Sequence, residues 1–197
     1  MFHMLVSAHC ERNQWEQAEK LVVKHTDAQI KDKMLGRLTM CYSKGLQWNM
    51  AKNILLKHTS FKDRDKILKL VASACYQHGE FGVAKMLLLE HVKDKTEEDV
   101  QGLESSHMLA DLYLQNGELE LAVTFGKLAL EGRSKALGRQ HKLFFESVLL
   151  IVEIYIAKGD IVEADGYTAL LPSSHKNLSK LRGELLQESS DSRPLRP

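Results

Sequence analysis

Three stretches of this chain repeat one another at a fixed interval. Gln14 to Thr26 reads QWEQAEKLVVKHT, Gln47 to Thr59 reads QWNMAKNILLKHT, and Glu80 to Val92 reads EFGVAKMLLLEHV. Ala18, Ala51 and Ala84 are 33 residues apart, and so are His25, His58 and His91. A period of this length belongs to stacked supersecondary units, each too small to bury its own apolar face and dependent on its neighbours. It is not the pattern of a compact enzyme domain. Only 3 prolines occur in 197 residues, two of them in the last four, so the chain can be helical almost throughout.

Each unit reads as two helical halves. In the fourth, Leu109, Ala110 and Tyr113 share one face of a first helix, and Asn116-Gly117 ends it at a left-handed turn. A second helix follows with Leu119, Ala122, Ala129 and Leu130 on its inner face. The fifth unit carries Ile151, Tyr155, Gly159, Ile161 and Ala164, and the third Val71, Ala72, Gly79, Phe81 and Ala84. The second has Leu38, Tyr42, Trp48 and Ala51, but its glycine, Gly45, stands one residue early and Leu46 takes the turn position. The first has Leu5, Asn13, Trp15 and Ala18, with His9 at the tyrosine position. The alanines let two helices approach closely. The bulky residues two places past the turn (Trp15, Trp48, Phe81, Leu119, Ile161) are expected to plug the crossing between them.

The pattern Leu-Ala-x-x-Tyr-x-x-x-Gly-x-x-x-x-Ala resembles the tetratricopeptide repeat, whose period is about 34 residues. The resemblance covers residues 1–172. From Ala84 to Ala122 is 38 residues and from Ala122 to Ala164 is 42. The longer unit contains ALEGRSKALGRQH, Ala129 to His141, which resembles the long-linker repeats of the kinesin light chain, also used by fungal signalling and receptor proteins. Lys142 stands where that motif has proline. The resemblance implies an all-α, right-handed superhelical solenoid of helix-turn-helix repeats over 1–28, 29–61, 62–95, 96–139 and 140–172. A capping helix over 173–188, with Leu178, Leu181 and Leu185 at helical spacing, and a disordered tail over 189–197 are expected to follow. Met1 falls inside the first helix of the first unit, which reads as a piece of a longer array.

Composition narrows the function. Net charge is +1 and the basic residues are interspersed with acids, so nothing recruits nucleic acid or an acidic membrane surface. No apolar run approaches the ~18 residues of a membrane span, and the first residues lack a signal peptide's basic region. Cys10, Cys41 and Cys75 are odd in number and without a C-x-x-C, as expected of reduced thiols in the cytoplasm.

The three equivalent histidines suggest a metal ladder. Helices in a stack sit about 8–10 Å apart, whereas nitrogens on one zinc lie about 2.0–2.1 Å from it. Packing between repeats, or capping of C-terminal carbonyls, is the reading that geometry favours. No cysteine is paired with a base, no phosphate-binding loop is present, and Glu97-Glu98-Asp99 reads as a helix start. No catalytic residue, metal ligand or cofactor is assigned.

In a tetratricopeptide array the first helices line a concave groove. On that frame the outward positions are His3, Ser7, Cys10 and Glu11, then Lys33, Gly36, Met40 and Lys44. Lys66, Lys69, Ser73, Tyr76 and Gln77 follow in the third unit. Glu104, His107, Asp111, Leu114 and Gln115 follow in the fourth, and Glu146, Leu149, Glu153 and Ile156 in the fifth. Units two and three are basic, four and five acidic with apolar patches. An acidic part of a bound segment is expected over Lys33, Lys44, Lys66 and Lys69, and a basic or apolar part over Asp111, Leu114, Glu153 and Ile156. Ser7 and Arg37 stand where a chaperone-binding carboxylate clamp has asparagine, so that clamp is not expected.

The leading expectation is a non-enzymatic scaffold that binds a protein or peptide partner in its groove. A second is the sensor or regulatory arm of a larger signalling protein. A third, from another class, is a metal- or ligand-binding enzyme built on His25, His58 and His91.

Overall fold

The computed structural model describes residues 2–58, 63–93, 95–96 and 99–172. The expected capping helix and tail, Glu97, Glu98 and the side chain of His3 lie outside the described residues. Those residues form ten α-helices and no strand. They are α1 (Phe2–Glu11), α2 (Trp15–Lys24), α3 (Ala28–Lys44), α4 (Trp48–Lys57), α5 (Arg64–Gln77), α6 (Phe81–Val92), α7 (Val100–Gln115), α8 (Leu119–Leu137), α9 (Lys142–Lys158) and α10 (Ile161–Thr168). Consecutive helices pair as antiparallel hairpins. The chain divides into two compact units, Met1–Asp94 with three hairpins and Lys95–Pro197 with two.

One backbone device makes all five hairpins. Asn13, Leu46, Gly79, Gly117 and Gly159 all lie in the left-handed region, with φ of 57°, 56°, 77°, 75° and 78°. The next residue's N–H reaches back over the end of the first helix. Gln14 bonds the His9 carbonyl at 2.8 Å, Gln47 that of Tyr42 at 2.8 Å, and Glu80, Glu118 and Asp160 those of Cys75, Tyr113 and Tyr155 at 2.9 Å. This is the Schellman closure. The same residue then starts the second helix: its carbonyl accepts the N–H of Ala18, Ala51, Ala84, Ala122 or Ala164 at 3.0–3.1 Å. The repeated alanine is thus fixed by the turn four residues before it, and each is at most 3% exposed.

In the first unit the hairpins stack with α1 against α3, α3 against α5 and α4 against α6. Val22, Leu35, Leu38, Tyr42, Ile54, Leu55, Leu68, Val71 and Cys75 fill the seams. Trp15 and Trp48 do not plug their own hairpins as expected, whereas Phe81 meets its own, its ring 5.9 Å from that of Tyr76. Trp15 reaches forward to the next hairpin, its ring 5.3 Å from that of Tyr42, and Trp48 likewise lies 5.3 Å from His78. Phe81 and Ile161, the last such residues of their units, are 37% and 47% exposed. Tyr42 completes the Trp15 seam by donating its hydroxyl to the Trp15 carbonyl at 3.2 Å.

The second unit differs through α8. Its 19 residues exceed the 10 of α2 and α4 by nine, the difference between the 42- and 33-residue spacings. The added turns carry Arg133, which is 1% exposed. Its guanidinium Nη1 donates to the Leu143 carbonyl at 3.0 Å and to Ser147 Oγ at 2.9 Å, tying the end of α8 to the first turns of α9. His141 caps α9 by accepting the Leu143 N–H on its imidazole, at the place preceding Lys142.

Candidate functional site

α3 shows two faces. Met34, Leu35, Leu38, Thr39 and Tyr42 point into the core. Gln29, Lys33, Gly36, Arg37, Met40, Cys41 and Lys44 recur at helical spacing on the other side and form one wall of a groove of about 860 Å³. Ser7 of α1 and Asp63 and Ile67 at the start of α5 complete it. Gly36 contributes no side chain, which leaves room beside Met40. The volume lies in the range of well-formed binding sites.

The electrostatics of this groove are mixed but lean positive. Lys33, Arg37 and Lys44 are exposed at its rim, against Asp32 and Asp63. Among the described residues no carboxylate forms an ion pair with those three cations. Arg64, beside the groove, is committed elsewhere: it bonds the Leu55 carbonyl and Glu90, both at 3.0 Å.

Of the residues expected from sequence, Ser7, Lys33, Gly36, Met40 and Lys44 come together here. Lys66, Lys69, Ser73 and Gln77 share another stretch of α5 outside this groove, Lys66 and Gln77 exposed and Lys69 and Ser73 half-buried. Tyr76 is half-buried with its ring 5.9 Å from Phe81. Cys10, expected to face outward, is instead 6% exposed and belongs to the α1 core face. The sequence frame omits Gln29, Asp32, Cys41, Asp63 and Ile67 as groove residues, and it places Arg37 only as a departure from the clamp pattern. Arg37 is one place past Gly36, and the spacing 29, 33, 37, 40, 44 along α3 is the signal that finds it.

In the second unit, considered by itself, the expected residues are drawn further inward. Asp111, Leu114, Glu153 and Ile156 are half-buried, and Asp111 accepts a bond from Gln115 at 3.1 Å. His107 is half-buried as well, and its Nδ1 has no hydrogen-bond partner among the described residues. Burial first, and the charge of Arg133 second, push its imidazole down to about 4. It is therefore a neutral side chain at physiological pH.

The repeated histidines do not share one environment. His25 and His58 end α2 and α4 as C-caps, whereas His91 lies inside α6 and is 2% exposed. The His25 ring accepts the N–H of Asp27, the residue that caps α3, so it helps lead one hairpin into the next. No group of three His, Cys, Asp or Glu among the described residues is placed to hold a metal. No helix among them is long and apolar enough to cross a membrane.

Solved structures repeat this architecture. The nearly identical TPR-like repeats of a kinesin light chain-like protein from Podosopora anserina superpose with a TM-score of 0.53 at 20% identity, over 95% of this chain and 95% of that one. BtubC (BKLC) from P. vanneervenii gives 0.54 at 14% identity, over 100% of this chain and 82% of that one. MamA of AMB-1 gives 0.50 at 16%, over 93% and 98%. This chain has the TPR-like repeat fold. At these identities the likeness is one of fold, and the turn geometry above is its physical content. No protein-family model and no curated protein matches the sequence.

Proposed function

We propose that this chain is a non-enzymatic protein-interaction scaffold whose first unit holds an acidic peptide segment in the groove between α1, α3 and α5. The observation that carries the reading is the trio Lys33, Arg37 and Lys44, which have no carboxylate partner among the described residues and stand beside Met40 and Ile67 in a groove of about 860 Å³. Cations at a rim with apolar side chains between them suit a segment in which Asp or Glu alternates with apolar residues. Such charges set orientation and on-rate, while the desolvated apolar contacts hold the complex. Lys66 and Lys69 on α5 would extend the basic track. In the second unit, Asp111, Leu114, Glu153 and Ile156 would take a basic or apolar segment, with neutral His107 contributing packing rather than charge.

The test is fluorescence anisotropy with a labelled acidic-apolar peptide against its charge-reversed twin. Lys33→Glu with Lys44→Glu should weaken binding of the acidic peptide by about tenfold or more. Lys66→Glu with Lys69→Glu should weaken it less. Equal affinity for the two peptides, or no effect of the Lys33/Lys44 reversal, would remove the proposal.

A further inference from the structure

The first hairpin lacks a cover that the next two have. Leu5 and His9 of α1 and Leu21 of α2 stand 33 residues before Leu38, Tyr42 and Ile54, which stand 33 before Val71, Cys75 and Leu87. The six later residues are at most 2% exposed, in a unit where each hairpin packs on the one before it. In the first hairpin the same positions open to solvent. Leu5 is 48% exposed, His9 and Leu21 are half-buried, and together they floor a socket of about 520 Å³. Lys20 and Lys24, one turn apart and both exposed, stand at its rim. Lys20 also lies 3.9 Å from Glu16, an exposed pairing that holds it weakly. The socket shares no residue with the groove on α3. α10 carries the converse surface. Val162, 83% exposed, is the most exposed large apolar side chain among the described residues, and Ile161 beside it is 47% exposed. Asp165 lies one turn on along the same exposed face, and Glu163 flanks it. Gly166, one turn past Val162, adds no side chain, so the apolar pair projects. Asp160 to Pro172 holds three acids and no base.

We propose that copies of this chain self-associate through these two unlike surfaces, the Ile161–Val162 knob of one copy seated in the Leu5–His9–Leu21 socket of another, with Glu163 and Asp165 against Lys20 and Lys24. By register the socket is a stacking face, and what covers its equivalents in the second and third hairpins is a helical hairpin. Charge then selects which helix fits. Two sockets face to face would oppose Lys20 and Lys24 to their own counterparts, and two knobs would oppose Glu163 and Asp165 to theirs. Such like-charge juxtapositions disfavour both symmetric pairs. Socket against knob instead joins opposite charges at the rim, while Leu5, Leu21, Ile161 and Val162 leave water at the centre. Because the surfaces differ, a copy that has used its knob keeps its socket free, and a further copy can add. This contact does not depend on what the groove binds.

Sedimentation velocity of the full chain over a dilution series tests it. The wild-type mass should rise with concentration past that of a dimer, and added salt should weaken the association. Val162→Asp spoils the knob at an exposed position and leaves the socket intact. Leu5→Glu spoils the socket and leaves the knob intact; Lys20→Glu with Lys24→Glu, at exposed rim positions, replaces it if the thermal midpoint shows that Leu5→Glu disturbs the fold. Each variant alone should associate about tenfold more weakly than wild type or stay monomeric. Mixed, the knob variant and the socket variant should form a one-to-one complex that grows no further, since one intact socket meets one intact knob. A wild type that stays monomeric throughout overturns the proposal. So does Val162→Asp that associates as wild type does, which would mean that two sockets pair, and so does a mixture that remains monomeric.

Discussion

Leu46 and Gly45 have exchanged the places that the other hairpins would give them. Leu46 occupies the left-handed position at φ 56°, where three of the five hairpins have glycine and one asparagine. A side chain with a Cβ there costs roughly 1–2 kcal/mol. Gly45, one residue earlier, has φ −83° and needs no glycine for its backbone. It needs one for space: an added Cβ would lie 2.8 Å from Trp15 Cη2 and 2.9 Å from Cζ2. The forward-reaching tryptophan of the first hairpin therefore dictates the turn residue of the second. Leu46→Gly, whose side chain is 56% exposed and so forfeits little burial, should raise stability by about 1 kcal/mol. Gly45→Ala should lower it by about 1–3 kcal/mol, because the ring must move. Urea denaturation of the two variants decides this, and a destabilised Leu46→Gly would mean that the leucine side chain is held by contacts that outweigh the backbone strain.

The joint of α7, α8 and α9 puts His107 beside a buried guanidinium. Arg133 is held by the Leu143 carbonyl and Ser147 Oγ, with Glu104 and Glu146 supplying favourable charge from a greater distance. His107, pushed from its ordinary 6.5 down to about 4, stays neutral there. The sign of the pH effect follows. Between 6.5 and 4 the unfolded chain takes up a proton that the folded chain refuses, so stability falls as the pH falls through that window. The loss is complete below the folded value and absent above the unfolded one. It amounts to something on the order of 3 kcal/mol. His107→Asn should flatten the stability profile of the second unit over this window, whatever it does to stability at pH 7. A profile as steep as wild type would assign the loss to other groups. Little of this joint was legible in the sequence. The spacing of 42 residues announced an insertion, and ALEGRSKALGRQH located it, but neither told that the inserted turns bury an arginine or that His107 faces it. Periodicity reports which residues recur, whereas this contact joins His107 to an arginine that has no counterpart in the 33-residue units. The hairpins themselves were legible because one backbone closure, with an alanine four residues on, generates each of them. Trp15 and Trp48 were legible as packing residues but not in their partners, since direction between hairpins leaves no mark within a single repeat.

Over the whole molecule, the net charge of +1 conceals a division. Residues 1–94 carry 15 basic and 10 acidic side chains, and residues 95–197 carry 12 and 16. The formal charges are +5 and −4. The basic unit is the one with the groove rimmed by Lys33, Arg37 and Lys44, so local and regional fields there have the same sign. An acidic ligand is then attracted before it reaches any specific contact, a steering effect that acts over about 10 Å at 0.1 M salt and shrinks as salt rises. Apolar contacts with Met40 and Ile67 form only after docking and are not screened in this way. The two contributions separate kinetically. Raising salt from about 0.05 to 0.5 M should slow association of the acidic peptide by about tenfold while changing its dissociation much less. Stopped-flow mixing measures both rates. The Lys33/Lys44 reversal should abolish the salt dependence of the on-rate, because it replaces two favourable charges at the rim with two unfavourable ones. If salt instead accelerates dissociation and leaves association unchanged, the cations act as short-range contacts within the complex rather than as a steering field.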